Sequence, residues 1–145
     1  MKKLTLLVIS AFLLLMMPQA SAENTVIRIV APVNQTFTGE FRNDALSQAL
    51  TASGELGSKV FQPIANNRTW VIDAALIDEV ILMSNEYVLA NDADPVGKEI
   101  ASVWLNQLRL VTAGNEVVAL AYGNPDVALA KRLAPSELKS YYAYG

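Results

Sequence analysis

The sequence predicts an α+β domain, and three observations carry that expectation. Short extended runs of β-branched and apolar residues lie near both ends of the chain, at residues 25–30 and 117–122. Between them, over residues 73–110, apolar side chains recur at three- and four-residue steps, the period of helices with one buried face. An acidic, proline-bearing link, Asn91-Asp92-Ala93-Asp94-Pro95, interrupts that helical region once. Extended segments on either side of a helical centre are the α+β arrangement.

The first 22 residues stand apart from this pattern. Lys2 and Lys3 precede a nearly unbroken apolar run of 14 residues, 4–17, which Pro18 and Gln19 end before Ala20-Ser21-Ala22. A basic start, an apolar stretch and a small-x-small site make an export signal, with cleavage expected after Ala22. The run is shorter than the ~20 residues that a spanning helix needs, so no stable membrane insertion is expected after cleavage. Residues 23–145 are expected to form a single domain. They carry nine Lys or Arg against fourteen Asp or Glu, a net charge of −5. An acidic balance whose only adjacent cations are Lys131-Arg132 argues against nucleic acid as a partner.

Two residue types are absent. With no cysteine there is no disulfide staple and no lipid-modified cysteine behind the apolar run, so packing must hold the domain. With no histidine the chain lacks the commonest general base and metal ligand, and every Ser-His or Cys-His nucleophile pair. Neither absence is absolute, since carboxylates alone can catalyse or bind calcium.

The elements follow in order. Residues 25–30 (TVIRIV) read as a strand, Ala31-Pro32-Val33-Asn34 as a break, and Gln35-Thr36-Phe37-Thr38 as a second extended piece, together a β-hairpin. Asn43 reads as the N-cap of a short helix through Leu46, Ala49 and Leu50, with Gly54 as its stop. Residues 58–70 read as irregular, with Pro63, Asn66 and Asn67 as turn formers, and Trp70-Val71-Ile72 as a short strand or the lead-in to a helix. A helix starting at Asp73 presents Leu76, Ile77, Val80, Ile81, Tyr87 and Val88. Asp94-Pro95 then reads as the cap and first residue of a second helix presenting Val96, Ile100, Val103, Trp104 and Leu108. So short a link predicts an antiparallel helical hairpin. Residues 117–122 read as a buried strand and Val127-Ala128-Leu129 as the start of another.

In layout the chain resembles the GfcC-like proteins of capsule and exopolysaccharide operons. The features that carry the resemblance are ordered along the chain: Thr25-Val26-Ile27-Arg28-Ile29 directly behind the signal, Pro32, and the segment Val60-Phe61-Gln62-Pro63-Ile64-Ala65. The acidic linker Asn91-Asp92-Ala93-Asp94 follows, leading into Ile100-Ala101-Ser102-Val103, then Leu108 and Gly114, and an Asp-Pro-Asp-like Asn124-Pro125-Asp126-Val127. The chain departs from the family in having Phe61-Gln62-Pro63-Ile64 for its Trp-Pro-Gly-Ala, and Trp104 where an arginine is usual. The resemblance implies a β-grasp-like small sheet with an inserted antiparallel helical hairpin, here without the family's second β-grasp domain. It further implies a non-enzymatic accessory protein of polysaccharide export, located in the periplasm, with a polysaccharide or an export-machinery protein as partner. The alternative is a carbohydrate-binding or carboxylate-dependent carbohydrate-active domain.

Candidate sites are few. Trp70 and the cluster Tyr141, Tyr142 and Tyr144 are the candidate polysaccharide or partner contacts, because sugar rings stack on flat aromatic faces. The tyrosines sit on an end that reads either as unstructured or as a strand completing the sheet. Trp104, within a helical stripe, reads as core. Asp92 and Asp94 could offer oxygens to calcium but lack the rest of a calcium loop, and a helix cap is the favoured reading for Asp94. Asp78 and Glu79, adjacent on one helix, do not face each other and read as a solvated face rather than a glycosidase pair. Asn34-Gln35-Thr36 and Asn67-Arg68-Thr69 match the glycosylation acceptor pattern, which is coincidental in a bacterial host. No catalytic residue, cofactor or metal is assigned.

Overall fold

In the computed structural model, which describes residues 24–62 and 67–145, helices and strands alternate. Strand β1 (Thr25–Ile29) leads to helices α1 (Ala45–Leu50) and α2 (Glu55–Phe61), then to strand β2 (Arg68–Ile72). Helices α3 (Ala74–Ser84) and α4 (Lys98–Thr112) precede strand β3 (Glu116–Ala119), and α5 (Val127–Leu133) and α6 (Pro135–Tyr144) complete the chain. The three strands form one sheet in the order β1-β2-β3, and both pairings are parallel. The chain is therefore a mixed α/β protein: a parallel sheet needs crossovers between its strands, and each crossover here carries two helices.

The register explains the core. Ile27 lies beside Trp70 and Trp70 beside Val117, while Ile29 lies beside Ile72 and Ile72 beside Ala119. That face of β1 and β2 packs on the helices, with Ile29 and Trp70 fully buried among Leu50, Val60, Val80, Met83 and Trp104. Two crossovers that advance in the same direction with the usual handedness put their helices on one face. The other face shows the consequence: Val26 is 60% exposed and Arg28 is also exposed. A polar ladder crosses this open face. Asn24 Nδ2 donates to Thr69 Oγ1 at 3.1 Å, and Thr69 Oγ1 donates to Glu116 Oε2 at 2.7 Å.

Several sequence expectations are corrected here. The opening hairpin does not form: β1 pairs with β2, and Gln35 makes only an isolated antiparallel bridge to Phe41, which itself bridges Leu89. The segment behind β1 has no alternating apolar face to offer β1, whereas Trp70 and Ile72 do. A β-grasp-like sheet opened by a hairpin is thus not what the described residues form, and the helices alternate with strands instead of being segregated as in α+β folds. Residues 58–61, expected to be irregular, belong to helix α2, with Gly54 in the cap position of that helix rather than closing α1. Residues 127–129, expected as a strand, open helix α5, capped by Asp126 Oδ1 accepting from Leu129 N at 2.9 Å. The tyrosine-rich end is helix α6, with Pro135 in its first turn. The turn expected at Pro63 and Asn66 lies outside the described residues, as does the export signal; Asn67 does adopt the left-handed φ of 72° that suits a turn asparagine.

Helices α3 and α4 pack together between β2 and β3, and Leu76, Val80, Trp104 and Leu108 are buried as expected. The link between them is longer than expected and differently capped. Helix α3 stops at Ser84, where Asn85 Nδ2 donates back to Ile81 O, and the chain then carries Tyr87 and Leu89 into the core beside Phe41. The Phe41 and Tyr87 rings meet edge to face at 5.0 Å. Gly97, not Asp94, precedes α4. Its N–H donates to Tyr87 Oη at 2.8 Å, and Tyr87 Oη donates to Asp44 Oδ1 at 3.0 Å. A Cβ at Gly97 would stand 2.7 Å from both Tyr87 Oη and Ser47 Cβ, so only glycine fits this crossing. Ile81, Val88, Val96 and Val103, expected in the stripes, are exposed.

Candidate functional site

The loops that leave the carboxyl ends of the strands have backbone N–H groups with no ladder partner, and two buried acids supply acceptors. Asp73 follows β2 directly. Its Oδ1 accepts from Ala75 N at 3.0 Å, capping α3, and from Gly123 N at 2.9 Å, holding the loop after β3. Glu79, one and a half turns along α3, turns inward. Its Oε1 accepts from Asn34 N and Gln35 N, both at 3.0 Å, and its Oε2 from Asn34 N at 3.2 Å, holding the loop after β1. Both side chains are almost wholly buried. Helix α3 thus staples two loops, and the solvated face expected for Glu79 is corrected. The reason is position: Glu79 lies three residues after Leu76 and beside Val80, within the apolar stripe.

Between those loops and α1 runs a crevice of about 590 Å³, lined mainly by the apolar groups of Val30, Pro32, Val33, Leu46 and Leu56, with Asn34, Glu55 and Asn124 as its polar groups. The carboxyl ends of strands in open parallel sheets are where such folds hold ligands. Gly123 and Asn124 border it with left-handed φ values of 74° and 42°. Asp73 and Glu79 hold the two loops that border this crevice, through Gly123 N and through Asn34 N and Gln35 N. Beside it, Tyr122 Oη donates to Asp78 Oδ2 at 2.8 Å. That hydrogen bond, then partial burial, holds the Tyr122 phenol above its ordinary pKa and keeps it a proton donor. Tyr87 is raised as well, first by burial, which outweighs the N–H from Gly97.

The sequence-predicted contacts divide. Trp70 is fully buried in the middle strand, so its ring faces the helices and is unavailable to a polysaccharide; this corrects the expectation. A central strand of a one-sided sheet must fill the space beneath the helices, and Trp70 is the side chain that fills it. The indole N–H groups of Trp70 and Trp104 are both buried without an acceptor. Tyr141 is half-buried, its carbonyl accepting from Tyr122 N at 2.7 Å. Tyr142 and Tyr144 stand on α6, 56% and 73% exposed, and the Tyr144 ring meets Tyr122 edge to face. Asp92 and Asp94 are exposed in the loop between α3 and α4. Among the described residues no group of three or more acids is placed to hold a metal ion, and no helix is long and apolar enough to cross a membrane.

No protein-family model matches the chain, and no curated protein and no solved structure matches it.

Proposed function

We propose that the chain is a non-enzymatic binding module of capsule or exopolysaccharide assembly, acting in the periplasm after cleavage behind Ala22. Its polysaccharide contact is the aromatic surface of α6. The observation that carries this reading is the pair of tyrosine rings, Tyr142 and Tyr144, left in solvent on a helix with Leu138 as its one buried residue. Exposed aromatic rings on such a helix are surface for a partner, and flat rings suit sugar. The layout that resembles the GfcC-like proteins supplies the class of polymer. An antiparallel course for the α3–α4 pair belongs to the same reading. The parallel sheet counts against the β-grasp part of the resemblance, so the proposal rests on the export signal, the order of the motifs and α6.

Equilibrium binding of residues 23–145 to an acidic and a neutral exopolysaccharide tests it. The parent should bind one of them, and Tyr142→Ala with Tyr144→Ala should weaken that affinity by about tenfold, roughly the effect of losing one good aromatic contact, with the melting temperature unchanged. A parent that binds neither polymer, or a double variant that binds as the parent does, removes the proposal.

A further inference from the structure

The free edge of the sheet carries a pocket unlike the crevice at the strand ends. Strand β1 has β2 as its one neighbour. Thr25 N donates to Asn67 O and Ile29 O accepts from Asp73 N, so residues 25, 27 and 29 pair inward. In a parallel ladder the alternate residues, here Val26 and Arg28, then turn their N–H and C=O groups outward. The second half of α2 stands beside that edge. Between them lies a pocket of about 320 Å³, lined by Arg28 and Arg68 from the strands and by Ser58, Lys59 and Gln62 from α2 and its cap, with Val26 and Ile27 as its apolar wall.

Three of the nine Lys and Arg in residues 23–145 line this pocket, and no Asp or Glu among the described residues does, although the chain as a whole is acidic. Lys59 meets Glu55 Oε1 at 3.4 Å, but that acid is exposed and stands outside the lining. Arg28 and Arg68 have no carboxylate partner among the described residues. Arg68 Nε is moreover buried without an acceptor, and a buried charged donor left unmet is costly. We infer that the pocket binds a small organic oxyanion, its carboxylate or phosphate held by Arg68, Arg28 and Lys59 and its body resting on Val26 and Ile27. The fixed fork of a guanidinium matches the oxygens of either group. The volume lies at the lower end of small-molecule sites, roughly 300–1,000 Å³, which suits a molecule the size of a sugar acid or sugar phosphate better than a bare ion. Charged side chains also guard free sheet edges against pairing, but that purpose needs charge in solvent, whereas Arg68 Nε is under cover.

Titration of residues 23–145 with glucuronate, glucose 1-phosphate and uncharged glucose at constant ionic strength, followed by amide NMR, tests this independently of the tyrosine contact. At least one of the two anions should give saturable shifts centred on residues 26–28, 58–62 and 68, and glucose should give none. Glucuronate alone would assign the site to carboxylates, and glucose 1-phosphate alone to phosphates. Arg68→Gln and Arg28→Gln should each weaken that binding by about tenfold, roughly the loss of one hydrogen bond to a charged group. Arg28 is exposed, so its variant should keep the parental melting temperature. Lys131→Gln, which removes the same charge from α5, should leave the affinity unchanged. A parent that neither anion saturates at these positions, or that glucose shifts equally, overturns the inference. So does a folded arginine variant that binds as the parent does, or a Lys131→Gln protein weakened as much as they are, which would reduce the effect to net charge.

Discussion

The region from β1 to α4 and the region from β3 to α6 use the same local signals and bury them very differently. In the first, β1, β2 and four helices send side chains into one cluster that includes both tryptophans, and even two acids, Asp73 and Glu79, are drawn under cover. In the second, β3 is exposed at every position, α5 buries nothing and α6 buries only Leu138. Its elements are nonetheless well specified locally, by Asp126 as a cap and Pro135 in a first turn. Caps and propensity define where a helix runs, but a helix this short is marginal without a packed face. The contrast puts the buried cluster in residues 24–62 and 67–112, whereas the elements of residues 116–145 lie largely at the surface.

The largest effect should come from the centre of the first region. Trp104→Ala removes a fully buried indole from α4 and should cost ~3–5 kcal/mol, read as a lowered urea midpoint. With no disulfide to compensate, that is a large share of a small domain's stability. A Trp104→Ala protein as stable as its parent would break the comparison at its base. A smaller loss is expected from the loop staple. Glu79→Gln withdraws a charged acceptor from Asn34 N and Gln35 N and should cost ~1–3 kcal/mol, with faster amide exchange at those two positions. If those amides exchange at their parental rate, the staple is not what holds the loop. The smallest effect belongs to the second region. Leu133→Ser on α5 should change stability by no more than about 0.5 kcal/mol. A loss as large as that of Trp104→Ala would mean that α5 has a buried face and is part of the core.

Much of the local structure was legible in the sequence. The strand at 25–29, the helix starting at Asp73, the short helix behind Asn43 (whose Oδ1 accepts from Ala45 N) and the burial of Trp104 all follow from periodicity and capping within a few residues. The candidate site was legible only in part. Tyr142 and Tyr144 are at the surface, whereas Trp70 is not, because an aromatic residue in a short extended run has no local mark that tells a central strand from an edge. Glu79 could have been found, since an acid inside an apolar stripe must either break the stripe or find donors.

What the sequence determined by itself is the set of segments able to be helix or strand, because turns, caps and periodicity act over one to four neighbours. The tertiary structure decided which strands pair and in which direction, since β1 meets β2 across some forty residues of chain and nothing in either strand encodes parallel or antiparallel. It also decided where α4 begins. The local Asp94-Pro95 signal is intact, yet the first turn forms at Lys98, because Gly97 lies against Ser47 and Tyr87 from distant parts of the chain and only a residue without a side chain can occupy that contact.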